Sequence, residues 1–114
     1  MTISIIGRHV ELKDSVKEYA RSKFENLNRF FGGLGNVEVV FKSEDRKIHC
    51  EVIMHINKHG TVVVDVARDE FNEATDVALD KCERQLSRLK EKIEDKRPGK
   101  QPAVPEEDTA EADE

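Results

Sequence analysis

The sequence predicts an α+β fold in which a four-stranded mixed sheet carries two helices on one face. Three observations predict it. Period-two alternation of apolar residues occurs in four short stretches. Two longer stretches repeat with the 3.6-residue period of an amphipathic helix, one after the first strand and one after the last. Glycine-bearing or polar turns fall between them. The order is therefore β-α-β-β-β-α. A crossover through the first helix sets strand 1 parallel to strand 2, while short turns fold strands 2, 3 and 4 into an antiparallel meander.

Thr2 to Val10 reads as the first strand, with Ile3, Ile5 and Ile6 apolar and Gly7 near its end. Asp14 offers a helix N-cap, and Ser15 and Glu18 have the spacing of a capping box. The helix runs on to about Phe31, with Val16, Tyr19, Ala20, Phe24, Leu27, Phe30 and Phe31 on its apolar arc and Gly32-Gly33 as its stop. Lys23 falls inside that arc, so it must snorkel outward or meet an anion. Asn36 to Lys42 alternates with Val37, Val39 and Phe41 on one face. Lys47 to Asn57 alternates more clearly. Ile48, Cys50, Val52, Met54 and Ile56 face one way, and His49, Glu51, Ile53 and His55 the other, giving a packed face and a wetter one. Asn57 to Gly60 is a hairpin turn, and Thr61 to Ala67 pairs back with Val62, Val64 and Val66 inward. Asp69 is the expected N-cap of a second helix over about 69–96, closed by Pro98 and Gly99.

Charge divides the chain in two. The formal net charge is −5, and residues 98–114 hold Lys100 against Glu106, Glu107, Asp108, Glu111, Asp113 and Glu114. The whole excess sits there, so residues 1–97 balance. Residues 1–97 are expected to form one folded domain and 98–114 a disordered acidic tail, since the latter is rich in Pro, Ala, Glu and Asp without periodicity. A general nucleic-acid coating protein would carry a strongly basic domain, so any binding must come from local arrangement.

That arrangement is in the second helix. At about 100° per residue, Phe71, Ala78, Cys82, Leu86, Leu89 and Ile93 share one arc. Lys81, Arg84, Arg88 and Lys92 share a second, and Glu73, Asp76, Asp80, Glu83, Glu91 and Glu94 a third. Ordinary solvated helices mix their signs, because opposite charges four residues apart stabilise them. Sorted cations suit an anionic partner such as a phosphate backbone. The same pattern also serves a plain solvated helix whose basic stems cover the core edge. With the two helices side by side, Lys23 and the basic arc are expected to form one continuous positive groove.

Several chemistries find no support. His49 and His55 lie six residues apart on one strand face, roughly 20 Å, too far for one ion, and His9 and His59 lack ligand-spaced neighbours. Cys50 and Cys82 fall on core faces without C-x-x-C spacing. No phosphate loop, nucleophile elbow or H-E-x-x-H appears. No catalytic residue, metal or cofactor is expected, and no small-molecule substrate. The open sheet face lacks the aromatics that stack RNA bases, and Asp69, Glu70 and Glu73 would repel duplex RNA from the start of the second helix. No apolar run reaches membrane-spanning length and no signal-peptide pattern opens the chain, so a cytoplasmic, membrane-free protein is expected.

Particular residues carry a resemblance. They are Met1-Thr2-Ile3-Ser4-Ile5 with Gly7 and Val10-Glu11-Leu12, the helix end Lys23-Phe24-Glu25-Asn26-Leu27-Asn28-Arg29-Phe30-Phe31, the Asp69-Glu70-Phe71 segment, and above all Asp80 to Lys90 with its K-x-x-R-Q-L-x-x-L run. Over residues 1–96 the chain resembles the ribosome hibernation-promoting factor and ribosome-associated inhibitor family, formerly called sigma-54 modulation proteins. The resemblance implies a translation inhibitor that binds the 30S small subunit of the 70S ribosome between head and body. It would cover the messenger and the A- and P-site transfer-RNA positions and idle ribosomes under stress or in stationary phase. It assigns 16S rRNA contacts to Lys23 and Arg29 on the first helix and to Lys81, Arg84, Arg88 and Lys92 on the second, with Arg8 where relatives are also basic. Asn26, where relatives often have lysine, and Lys13-Asp14, where they commonly have Thr-Pro, depart from the pattern. The short length and acidic end resemble members that keep ribosomes as inactive single particles. A monomer is expected. The alternative, suggested by the older family name, is a protein-binding regulator of a transcription factor. Deleting residues 98–114 is expected to alter the sedimentation profile of stationary-phase ribosomes, and an unchanged profile removes the tail from the mechanism.

Overall fold

Four alternating segments pair into one sheet because each buries one row of side chains under helices. The computed structural model describes residues 1–94, so the boundary at 97 and the tail at 98–114 lie outside the described residues. The elements are β1 (Thr2–Arg8), α1 (Asp14–Phe24), α2 (Leu27–Phe30), β2 (Leu34–Glu44), β3 (Lys47–Ile56), β4 (Gly60–Arg68) and α3 (Phe71–Glu94). The sheet order is β1-β2-β3-β4. β1 runs parallel to β2, and β3 is antiparallel to both β2 and β4. This is the expected β-α-β-β-β-α architecture, with the first helical segment divided in two.

The core lies between the sheet and the helices. Val37, Val39 and Phe41 of β2, Cys50, Val52 and Met54 of β3, Ala20 and Phe24 of α1, Leu27 of α2, and Ala74, Ala78, Cys82 and Leu86 of α3 are all fully buried. Burying a Leu or Phe side chain contributes roughly 1.5–3 kcal/mol. Phe71, at the head of α3, meets the Phe41 ring edge-on at 5.5 Å between centroids, an arrangement aromatic pairs favour.

Local details differ from expectation for physical reasons. The Ser15–Glu18 box is not formed. The helix already begins at Asp14, and the Lys13 carbonyl accepts from the Val16 and Lys17 amides without a side-chain cap. Asp69 is likewise no cap. Its carboxylate accepts from Lys47 Nζ at 2.7 Å, and the first turn of α3 closes from the Ala74 amide onto the Glu70 carbonyl. Between α1 and α2 the backbone stays helical but tightens, with the Asn26 amide bonding Lys23 and the Asn28 amide bonding Glu25, each three residues back. That tightening turns Leu27 and Phe31 inward. Gly7 permits a close approach, because a Cβ there would lie 2.5 Å from the Val10 carbonyl oxygen.

The β2–β3 hairpin turns on Asp45 and Arg46, at φ 56° and 65°. Two positive φ values between paired strands define the mirror-image turn that matches strand twist and normally takes Asn-Gly or Asp-Gly. An arginine there bears a Cβ penalty of about 1–2 kcal/mol. Arg46→Gly, partly offset by the added entropy of the unfolded chain, is expected to raise the urea midpoint by the equivalent of about 0.5–1 kcal/mol.

Candidate nucleic-acid interface

The rotation of α3 is set by its apolar stripe, and that rotation places its cations. With Ala74, Ala78, Cys82 and Leu86 pressed onto the sheet, Lys81 is half-buried at the edge while Arg84, Arg88 and Lys92 stand in solvent. Arg84 holds Asp80 at 3.0 Å, both side chains more than half exposed. An exposed pair four residues apart contributes only about 0.3–0.5 kcal/mol, so a phosphate can replace that carboxylate at small cost.

The first helix meets α3 on its other flank. The Tyr19 hydroxyl donates to Asp76 at 2.7 Å across the helix pair. The hydrogen bond to Asp76, then partial burial, then the Asp76 charge push the Tyr19 phenol above its ordinary value. Lys23 Nζ sits over the same ring, 5.3 Å from its centroid, so its charge is carried out along an aromatic face. On an ideal helix, Asp76, Asp80 and Glu83 fall within about 60° of one another, whereas Lys81, Arg84, Arg88 and Lys92 lie about 80–160° further round from Asp76. The acidic flank therefore faces α1. The single groove joining Lys23 to the basic arc is not formed, since the Tyr19–Asp76 bond puts carboxylates between them.

The expected residues thus occupy three places. Lys81, Arg84, Arg88 and Lys92 line the flank of α3 turned from α1. Lys23 lies on α1 and Arg29, exposed, on α2. Arg8 ends β1 on the opposite face of the sheet, across from Lys42 of β2. Sequence reading missed Lys42 and its own cross-strand neighbour His49. Strand parity already put His49 on the outer face and could have put Lys42 there, but only the pairing register sets them beside Arg8.

The remaining candidate chemistries are structural. His55 Nε2 meets Glu38 at 3.1 Å, and its Nδ1 lies 3.5 Å from the Thr61 hydroxyl. No cluster of three metal-ligating side chains occurs among the described residues. Burial pushes the Cys50 thiol up to about 12 and the Cys82 thiol well above its ordinary value, so neither supplies the thiolate that metal or redox chemistry needs.

Comparison with known proteins gives this geometry its context. Residues 3–94 match the family model described as Sigma 54 modulation protein / S30EA ribosomal protein. The chain belongs to this family. Among relatives of the S30EA family, the ribosome hibernation promoting factor of Azotobacter vinelandii is 29% identical over 103 residues, covering 90% of this chain and 95% of that one. The Pseudomonas putida protein of the same name is 32% identical over 92 residues, covering 81% and 89%. The N-terminal domain of Thermus thermophilus Protein Y superposes with a TM-score of 0.69 at 30% identity, covering 78% of this chain and 99% of that one. A ribosomal subunit interface protein from Coxiella burnetii shares the fold, with a TM-score of 0.72 at 19% identity over 80% and 99% of the two chains. The ribosome hibernation factors of the S30EA family are non-enzymatic.

The S30EA chain contains a single tyrosine, so its ionisation is read directly by ultraviolet absorbance. The Tyr19 phenol is expected to titrate above the ordinary value of about 10, and Asp76→Asn to bring it back toward that value. Because the folded-state value is the raised one, the Tyr19–Asp76 link is complete below the ordinary range and is lost as pH climbs through the folded one.

Proposed function

We propose that this chain is a ribosome-associated hibernation factor that inactivates idle ribosomes by occupying them, without making or breaking a bond. The observation that carries the reading is the family match across nearly the whole described chain, in relatives named for ribosome hibernation. The site that serves it is the basic flank of α3. From Lys81 to Lys92 the flank extends about 16 Å along the helix axis, enough to follow successive phosphates. The partner is the 30S subunit, alone or within the 70S ribosome, and the anion is 16S rRNA. Occupancy of the decoding channel, where messenger and the A- and P-site transfer RNAs would lie, excludes translation sterically. A monomer in the cytoplasm suffices for this action, and among the described residues no helix is long and apolar enough to cross a membrane.

Charge-assisted hydrogen bonds contribute roughly 1.5–3 kcal/mol each. Reversing both Arg84 and Arg88 to glutamate is therefore expected to weaken binding to purified 30S subunits at least a hundredfold at low salt. The variant should remain folded by circular dichroism, since both side chains are exposed. Sedimentation of lysate through sucrose separates this reading from regulation of a transcription factor. Migration with ribosomal particles is expected, and a protein that stays at the top of the gradient while bound to another soluble protein overturns the ribosome reading.

A further inference from the structure

A second basic row, two cations and a histidine, lies on the side of the molecule that the helices leave open. β1 pairs Arg8 directly with Lys42, and β2 pairs Lys42 directly with His49. Residues directly opposite in adjacent strands project from the same face. This face is the reverse of the one through which Ile5, Phe41 and Cys50 meet the core. At a strand spacing of about 4.8 Å the row extends roughly 10 Å from Arg8 to His49.

The row differs from the other cations near it. Lys47 is held by Asp69, Arg21 donates to the Ile3 carbonyl and Arg68 to the Ala67 carbonyl. No side-chain hydrogen bond or ion pair joins Arg8, Lys42 or His49 to another described residue. Glu44 and Glu51 lie one row to either side on the same face, and neither approaches within ion-pair distance of the three. Like charges set directly opposite across a ladder destabilise it. A fold that keeps Arg8 against Lys42 with no carboxylate answering them presents an unneutralised edge to whatever lies outside. Beside the row, Ile6 is 42% exposed and packs across from Val40, which is only 2% exposed. The row is thus bordered by one exposed apolar side chain, Ile6.

We propose that Arg8, Lys42 and His49 form a second phosphate-binding row for an RNA strand, on the sheet face opposite α3. The inference rests on the ribosome reading above and deepens it. Cations on both sides of the sheet fit a protein lodged between two RNA walls rather than laid on one. The row is linear, with Arg8 exposed and Lys42 and His49 half-buried, and it suits charges that repeat along a strand. The missing aromatics are no obstacle, because phosphate contacts require no stacking. The exposed Ile6 beside the row accommodates the ribose edge of the same strand.

The test uses the full chain, purified 30S subunits and a series of potassium chloride concentrations. Lys42→Gln and Arg8→Gln are each expected to lower affinity about tenfold at low salt. Each should also flatten the slope of log affinity against log salt by about 0.7–0.9, the share of one phosphate. Lys58→Gln, an equal charge change in the β3–β4 turn at the far end of the sheet, should leave both readings unchanged. If the two row variants bind with unaltered affinity and slope while the Arg84/Arg88 reversal abolishes binding, the row is overturned and the ribosome reading stands. If the unaltered chain fails to bind 30S subunits, both fall. A photo-reactive side chain at Glu44, next to Lys42 on the same face, should cross-link to rRNA. Cross-linking to ribosomal protein alone overturns the assignment to RNA.

Discussion

The roll of α3 about its own axis is the constraint from which the rest of the molecule follows. Ala74, Ala78 and Cys82 are small and fully buried, so this helix lies close against β3 and β4 with no slack. Turning it by one residue step would drive Lys81 or Glu83 into the interior. Burying an unpaired charge costs several kcal/mol, a large fraction of the stability of a domain this size. The helix is locked in roll, and each polar flank inherits a fixed direction. One flank receives α1 through Tyr19 and Asp76, and the other is left with cations.

Much of this was legible in the residues alone, and the parts that were not have definite causes. The topology followed from periodicity, because strands and helices bury side chains at different repeats. The α3 arcs were also readable, since a wheel needs only residue spacing. Which arc faces α1 was not readable, because that depends on how two helices sit on a sheet. One hydrogen bond from Tyr19 decides it. The cap assignments failed for a similar reason. Asp69 has a cap-forming side chain, but Lys47, 22 residues away in sequence, claims its carboxylate. Val40 lies on the outer face by strand parity yet is almost fully buried, set by the sheet register between Ile6 and Glu51. The register likewise gathers Arg8, Lys42 and His49.

The balance of charges in residues 1–97 conceals a strongly ordered surface. α3 separates its signs into flanks, and the open sheet face keeps Arg8 against Lys42 with no answering carboxylate. Neutrality in sum avoids indiscriminate attraction to nucleic acid, which follows overall charge. On the proposed reading, local ordering retains a grip where geometry matches. The pairing of Arg84 with Asp80 fits this scheme, since an exposed intrahelical partner shields the guanidinium in the unbound chain and is readily exchanged.

The uncompensated cations crossing β1 and β2 give the protein two opposed responses to ionic strength. Dissolved ions mute the mutual repulsion of Arg8 and Lys42, so the isolated domain becomes firmer as electrolyte is added. On the proposed reading, the same ions compete for each phosphate bound along the row. If the row binds phosphate as proposed, added salt would steady the unattached protein while loosening that hold, coupling durability to detachment through nothing more than the placement of side chains on a ladder.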